Sequence, residues 1–190
     1  MAANNRDLEI ESWFHDHEDG EFAVSASEYR TSVVGDSSAA RTVIYTTKFQ
    51  CLVRNLHAVD VSHPVMIVGR YGLPRSSDLI HLDSLPADAR SYFVGDADPP
   101  DILAFAWLRE HVAISWLGVN DKLLNQVQAL DLASLEIAMS ESEIQSMRML
   151  PKYCPDFRDL LGPSCSRTLD RGFKIELEGA MINLGIRPEH

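Results

Sequence analysis

The chain has 190 residues, 45% of them apolar and 24% charged, which is room for one sizeable core and little more. Its net charge of −11 comes with only 17 lysines and arginines, which are scattered and form no basic stripe. This lowers the expectation of a domain that grips nucleic-acid backbones by itself. No apolar run approaches the roughly 18 residues of a membrane-spanning helix, and Met1 to Glu11 lacks the apolar stretch of a signal peptide. Cys51, Cys154 and Cys165 are an odd number without CxxC spacing. They suit free thiols in a reducing, cytoplasmic setting, acting as small buried hydrophobes.

Residues 1–40 read as an N-terminal extension with short strands. Leu8 to Phe14 suggests a strand or an amphipathic turn. Glu21–Val24 and Tyr29–Val34 suggest strands, with turns at Gly20 and Gly35-Asp36. A regular pattern begins at Thr42 and defines an α/β domain over 41–190. Thr42–Thr47 is β-branched and aromatic, and predicts a strand. Lys48–Val59 spaces Phe49, Leu52, Val53 and Leu56 as a helix does. Pro64–Val68 and Ser91–Val94 are apolar runs typical of strands buried on both faces. Between them lie a loop, Gly69–Pro74, and a helical stretch, Ser76–Leu85.

Gly95-Asp-Ala-Asp98 predicts a loop, and Pro99-Pro100 starts a helix where a missing N–H costs nothing. That helix is strongly apolar through Leu108. Val112–Leu117 predicts a strand. Asn120 or Asp121 caps a further helix carrying Leu123, Leu124, Val127 and Leu130. Ser140-Glu-Ser-Glu143 opens a helix through Met149, ended by Pro151. Pro155–Leu161 predicts a short helix stopped at Gly162-Pro163, and Gly172–Leu184 a last helix. Alternating strands and helices argue for a mainly parallel sheet of about four strands with helices on its faces.

The sharpest chemical feature is Asp96-Ala-Asp98 beyond the carboxyl end of a buried strand, where open parallel sheets bind ligands. Two carboxylates so placed can reach one hard cation. Mg²⁺ in particular favours one or two carboxylates together with water and a phosphate. Asp101 lies in the first helical turn. It suits either an outer-shell acid of that site or an acid favoured by the helix N-terminus. Gly69-Arg-Tyr-Gly72 offers backbone N–H groups and Arg70 to a phosphate, or simply a tight turn. His15-Asp-His17-Glu-Asp19 is rich in ligand types but reads as a solvated acidic turn. His57, His63, His81 and His111 stand alone, and Trp107 and Trp116 read as core.

The run Ser91-Tyr-Phe-Val-Gly-Asp96-Ala-Asp98-Pro99 resembles the strand-loop signature of the Toprim domain. It is most similar to the version in the A subunit of type IIB topoisomerases (topoisomerase VI) and its meiotic break-forming relatives. Met66-Ile-Val-Gly69-Arg-Tyr-Gly72-Leu-Pro74 resembles that family's second strand and glycine loop. Ile114-Ser-Trp116-Leu-Gly118-Val resembles its following strand. Lys174-Ile-Glu176-Leu-Glu178 is weakly similar to its final helix. The resemblance spans roughly Thr42 to Asn183. It implies a Rossmann-like fold and a Mg²⁺ site at Asp96, Asp98 and Asp101, lined by Thr47, Lys48, Gly69, Arg70 and Gly72.

The departures carry equal weight. Toprim domains place a glutamate after the first strand, beside the two aspartates. Here Lys48 matches the lysine that often follows, but Thr47 stands in the glutamate's place, and a hydroxyl cannot exchange protons near neutral pH as a carboxylate can. The topoisomerases' tyrosine-bearing DNA-binding domain has no counterpart in the first 40 residues, and nothing marks Tyr29 or Tyr45 as a nucleophile. Pro100 and Asp101 replace the usual aromatic residue and glycine. Glu28, Glu110, Glu176 and Glu178 are substitutes for the lost acid by type only. Glu110 falls roughly 15 Å along its helix, too far to serve. The resemblance therefore implies a binding or regulatory module that kept the fold, working with a protein partner, a nucleic-acid-processing complex or as a homo-oligomer. The other reading is a Mg²⁺-dependent nuclease or phosphotransfer enzyme using Asp96 and Asp98.

Overall fold

The computed structural model describes residues 31–56, 63–70, 74–126 and 132–183. The strand and turn readings before Thr31, Trp13, the His15–Asp19 turn, Glu28, Tyr29, His57 and Gly72 lie outside these residues. Thr42–Thr46 (β2), Val65–Gly69 (β3), Arg90–Val94 (β4) and Ile114–Trp116 (β5) form a parallel sheet in the order β3-β2-β4-β5. A fifth strand, Ser32–Val34 (β1), adds to β3 in the antiparallel sense and extends the expected four. The result is a mixed α/β fold with a five-stranded, mostly parallel sheet flanked by helices, the first described one being Phe49–Leu56 (α1).

Buried β-branched and aromatic side chains explain the sheet. Val43, Tyr45, Val68 and Phe93 are wholly buried, which favours the central strands over any exposed arrangement. Tyr45 stacks on Phe93 at 6.0 Å, Phe93 on Trp116 at 5.3 Å, and Phe105 meets Trp116 edge-on at 5.5 Å. These offset and edge contacts are the arrangements aromatic quadrupoles prefer. Phe105 belongs to the helix Pro99–His111 (α3), whose residues Ile102 to Leu108 are all buried. Helices Glu141–Ser146 and Leu150–Tyr153 pack on α3 in addition to β5, which accounts for its long apolar buried run.

The register places Thr46 opposite both Gly69 and Val94, so three strands end level. The residues that follow them share one edge. At β3 that edge carries a closed polar knot. Asp78, on helix Ser76–Asp83 (α2), is fully buried. It accepts from Arg70 Nε at 3.0 Å, Arg70 Nη2 at 2.9 Å, Tyr45 Oη at 2.8 Å, the Arg75 N–H at 3.0 Å and the Thr31 hydroxyl. Burial opposes the Asp78 charge, but these donors hold its carboxyl below the usual range. Burial, then the Asp78 charge, pushes the Tyr45 phenol well up. The knot joins β1, β2, the end of β3 and α2.

Several sequence expectations change towards the C-terminus. The Ser140 capping box is present, but its helix stops at Ser146 and Pro151 sits inside a new turn of helix. Gly162, at φ 84°, ends helix Phe157–Leu161, yet Pro163 does not stop the chain. It opens another helix, Pro163–Asp170, because proline is well suited to a first turn. The expected helix Gly172–Leu184 divides. Gly172, at φ 82°, turns the chain, and Phe173–Ile175 (β7) pairs antiparallel with Glu136–Ala138 (β6). Only Leu177–Asn183 (α4) is helical. The helix after Asn120 covers Asp121–Leu124, and Val127 and Leu130 lie outside the described residues. The cysteines are not joined in a disulfide among the described residues, two of them are buried, and burial pushes the Cys154 thiol up to about 12.

Asp78→Asn is expected to destabilise the chain by about 3–5 kcal/mol, the usual cost of leaving one member of a buried pair uncompensated. Urea denaturation would register this as a lower midpoint at unchanged slope; an unchanged midpoint would contradict the role given to the knot.

Candidate metal centre

Beyond β4 the chain runs Gly95-Asp96-Ala97-Asp98 and enters α3. Asp98 caps that helix, its Oδ1 accepting the Asp101 N–H at 2.8 Å, with Pro99 and Pro100 at the first two helical positions. The cap brings Asp101 round to face the loop. Asp101 Oδ2 then accepts from the Asp96 N–H at 2.7 Å and from the Thr47 hydroxyl at 2.9 Å. A side chain at Gly95 would collide with Asp101 Oδ2, and one at Gly118 would lie 2.6 Å from the Gly95 carbonyl. Gly118 is required by close backbone approach, and Gly95 by the Asp101 carboxylate and Phe93 ring packed against it.

A second segment clamps the loop from outside. Ala97 and Ile175 exchange backbone hydrogen bonds, at 2.9 Å to the Ile175 carbonyl and 3.3 Å in return. Immediately after, the Leu177 N–H donates to Asp96 Oδ1 at 2.8 Å. Lys48 approaches from β2 and places Nζ 2.8 Å from Asp96 Oδ2 and 3.5 Å from Glu178 Oε2. Thr47 and Lys48 can reach the loop because β2 and β4 end level.

Asp96, Asp98 and Asp101 are 2%, 6% and 6% exposed. Each offers a carboxylate oxygen within 4.8 Å of the others, close enough to share one ion. Asp98 Oδ2 and Asp101 Oδ1 accept no hydrogen bond from the described residues, which leaves both for a ligand. An all-oxygen set of this kind suits a hard divalent cation rather than a soft one. Asp101 is thus a central member of the group, and its place at the helix N-terminus is a consequence of the same geometry.

The other sequence candidates lie differently. Arg70 is committed to Asp78 and Thr31, and Gly69 is packed beneath Phe49 and the Thr46 carbonyl. Neither reaches the three aspartates. Of the proposed substitute acids, Glu110 is exposed at the far end of α3 and Glu176 lies 3.5 Å from Lys174. Glu178 alone among the described three adjoins the centre, through Lys48. Sequence reasoning missed the β7 clamp. Its signal was the alternation Phe173-Lys-Ile175 after a turn glycine, which fits a strand better than a helix.

Burial pushes the Asp96 carboxyl up to about 7, the Asp101 charge adding and Lys48 opposing. Burial, then the Asp101 and Asp96 charges, raises Asp98 well above the carboxylate range. Burial also raises Asp101, against its hydrogen bonds from Asp96 and Thr47. No known protein-family model matches the chain, and no curated protein matches it. No helix among the described residues is long and apolar enough to cross a membrane.

The raised carboxyls fix the sign of a pH effect. Between the ordinary value of 3.8 and about 7 the folded chain keeps protons that the unfolded chain releases. The part of metal-free stability linked to Asp96 therefore falls as pH rises through that window, and the raised Asp98 and Asp101 act in the same direction. Asp98→Asn keeps a good cap while removing one charge. In chelator-treated buffer at pH 7.5 it is expected to melt a few degrees above the parent, at about 2–4 °C per kcal/mol for this size. The gap should close towards pH 4.5. A variant that melts no higher at pH 7.5 would refute the assignment.

Proposed function

We propose that this chain is a divergent Toprim-like domain that binds a divalent cation, Mg²⁺ by its donor set, and acts as a binding or regulatory module in a nucleic-acid-processing complex. Asp96, Asp98 and Asp101 would hold the ion, which would supply a positive anchor for a phosphate group. Support for the Rossmann-like Toprim reading comes from the parallel order β3-β2-β4-β5 and from an acidic loop at the carboxyl end of β4. The observation that carries the non-catalytic reading is Thr47. Its hydroxyl sits in the place of the expected glutamate and donates to Asp101 at 2.9 Å. The group there is spent on orienting a ligand and cannot trade protons with a substrate. The overall charge of −11 fits a module that meets nucleic acid through a partner or as a homo-oligomer.

A second reading, a Mg²⁺-dependent nuclease or phosphotransfer enzyme using Asp96 and Asp98, is favoured by one observation. Glu178 brings a further carboxylate to the Lys48 side of the centre.

Millimolar Mg²⁺ or Mn²⁺ is expected to raise the melting temperature, by about 5–10 °C at a hundredfold excess over Kd. Combining Asp96→Asn with Asp98→Asn should abolish the shift. No metal-dependent cleavage of single- or double-stranded DNA or RNA is expected at high protein concentration. The absence of any shift would remove the metal site, while cleavage lost in Asp98→Asn would establish the enzymatic reading instead.

A further inference from the structure

The two oxygens of Asp96 are both engaged, Oδ1 by the Leu177 N–H and Oδ2 by the Lys48 ammonium, each at 2.8 Å. Asp98 and Asp101 each keep one oxygen without a hydrogen bond from the described residues. Each carboxylate oxygen has a second lone pair, so a neutral N–H leaves room for a cation, whereas the Lys48 ammonium repels one at Asp96. The Leu177 N–H is fixed by the Ala97–Ile175 bridge two residues earlier and cannot leave without undoing that clamp. Lys48 is on a flexible four-carbon stem, 23% exposed, and has somewhere else to go. Glu178 Oε2 lies 3.5 Å from its Nζ, buried and without a hydrogen bond among the described residues. The Glu178 side chain as a whole is 39% exposed, so it can adjust.

We infer that Lys48 is a tethered counter-ion that occupies the cation's side of Asp96 and is handed to Glu178 when a divalent ion binds. This inference rests on the metal-binding reading given above. An ammonium and a divalent ion a few ångströms apart repel strongly in a buried site, so the two cannot share Asp96 Oδ2. The exchange replaces one Lys48–Asp96 pair by one Lys48–Glu178 pair, and no bond is made or broken covalently. Glu178 then acts on the centre through Lys48, as a positioning residue, and its contact with metal is not needed.

Mn²⁺ binding to the full chain, followed by the loss of the free-ion electron paramagnetic resonance signal, separates the alternatives. Lys48→Met removes the competitor and is expected to tighten Mn²⁺ about tenfold, the scale of one charge-assisted hydrogen bond. Lys48→Arg keeps the charge and should bind no more tightly than the parent. Glu178→Gln takes away the negative charge that would receive Lys48 and should weaken binding several-fold in the parent, yet have no effect in the Lys48→Met background. A fourth ligand would instead weaken binding in both backgrounds, which overturns the inference. So does a Lys48→Met protein, folded by circular dichroism, that binds Mn²⁺ equally or more weakly. If Lys48→Met does not fold, Lys48→Arg and Glu178→Gln decide: tighter binding in the first or unchanged binding in the second overturns it. If neither the parent nor any variant binds Mn²⁺, or Asp98→Asn leaves binding intact, the metal reading itself fails and takes this inference with it.

Discussion

Three carboxylates share one buried pocket of backbone at the end of β4, and each must be compensated or neutralised there. Isolated burial of even one such charge costs several kcal/mol, on the order that decides whether a small domain folds. The surrounding structure supplies what is needed. The helix cap turns Asp98 and Asp101 towards each other, Thr47 and the Asp96 N–H hold Asp101, and Lys48 and the Leu177 N–H hold Asp96. These donors come from the end of β2, the loop itself and the segment after β7. The level strand ends, the glycines at 95 and 118 and the late β-bridge are the conditions under which they converge.

The same sheet edge carries a second buried acid with a different outcome. Asp78 accepts from Arg70, Tyr45, Thr31 and the Arg75 backbone, which uses its oxygens fully and leaves its charge matched. Among the described residues the aspartate group is ion-paired by Lys48 and felt at longer range by Lys174, and it keeps two oxygens for a ligand. A satisfied network rigidifies its neighbourhood, whereas an under-compensated one invites a proton or a cation. Two knots built from the same residue types thus divide into scaffold and candidate site by their count of donors.

Legibility in the sequence followed the range of the forces involved. Val65–Gly69 was readable because burial leaves an unbroken apolar run, Arg90–Val94 by its aromatic and β-branched end Tyr92-Phe-Val94, and α3 because two prolines and a capping aspartate are local signals. Asp96 and Asp98 could be marked since they follow such a strand directly. Asp101 was readable only as an outer or capping acid, because its turn back onto the Asp96 N–H depends on three-dimensional closure. Arg70 looked free for phosphate since its partner Asp78 belongs to the next helix. The β6–β7 pair joins segments far apart in sequence, and three-residue strands carry too few positions to show a period. Glu178 was legible by type alone; only the fold brings it to Lys48.

The bridge between Ala97 and Ile175, with the Leu177 N–H on Asp96, spans about 80 residues of chain. Closing so long a loop carries an entropic cost that must be met before the contact gives anything back, so such pairings form late. During synthesis the strands and α3 emerge well before the segment that clamps them. The acidic loop therefore spends the early life of the molecule without its outer strap and with one face of Asp96 open to water. The centre is complete only once residues 175–178 are in place.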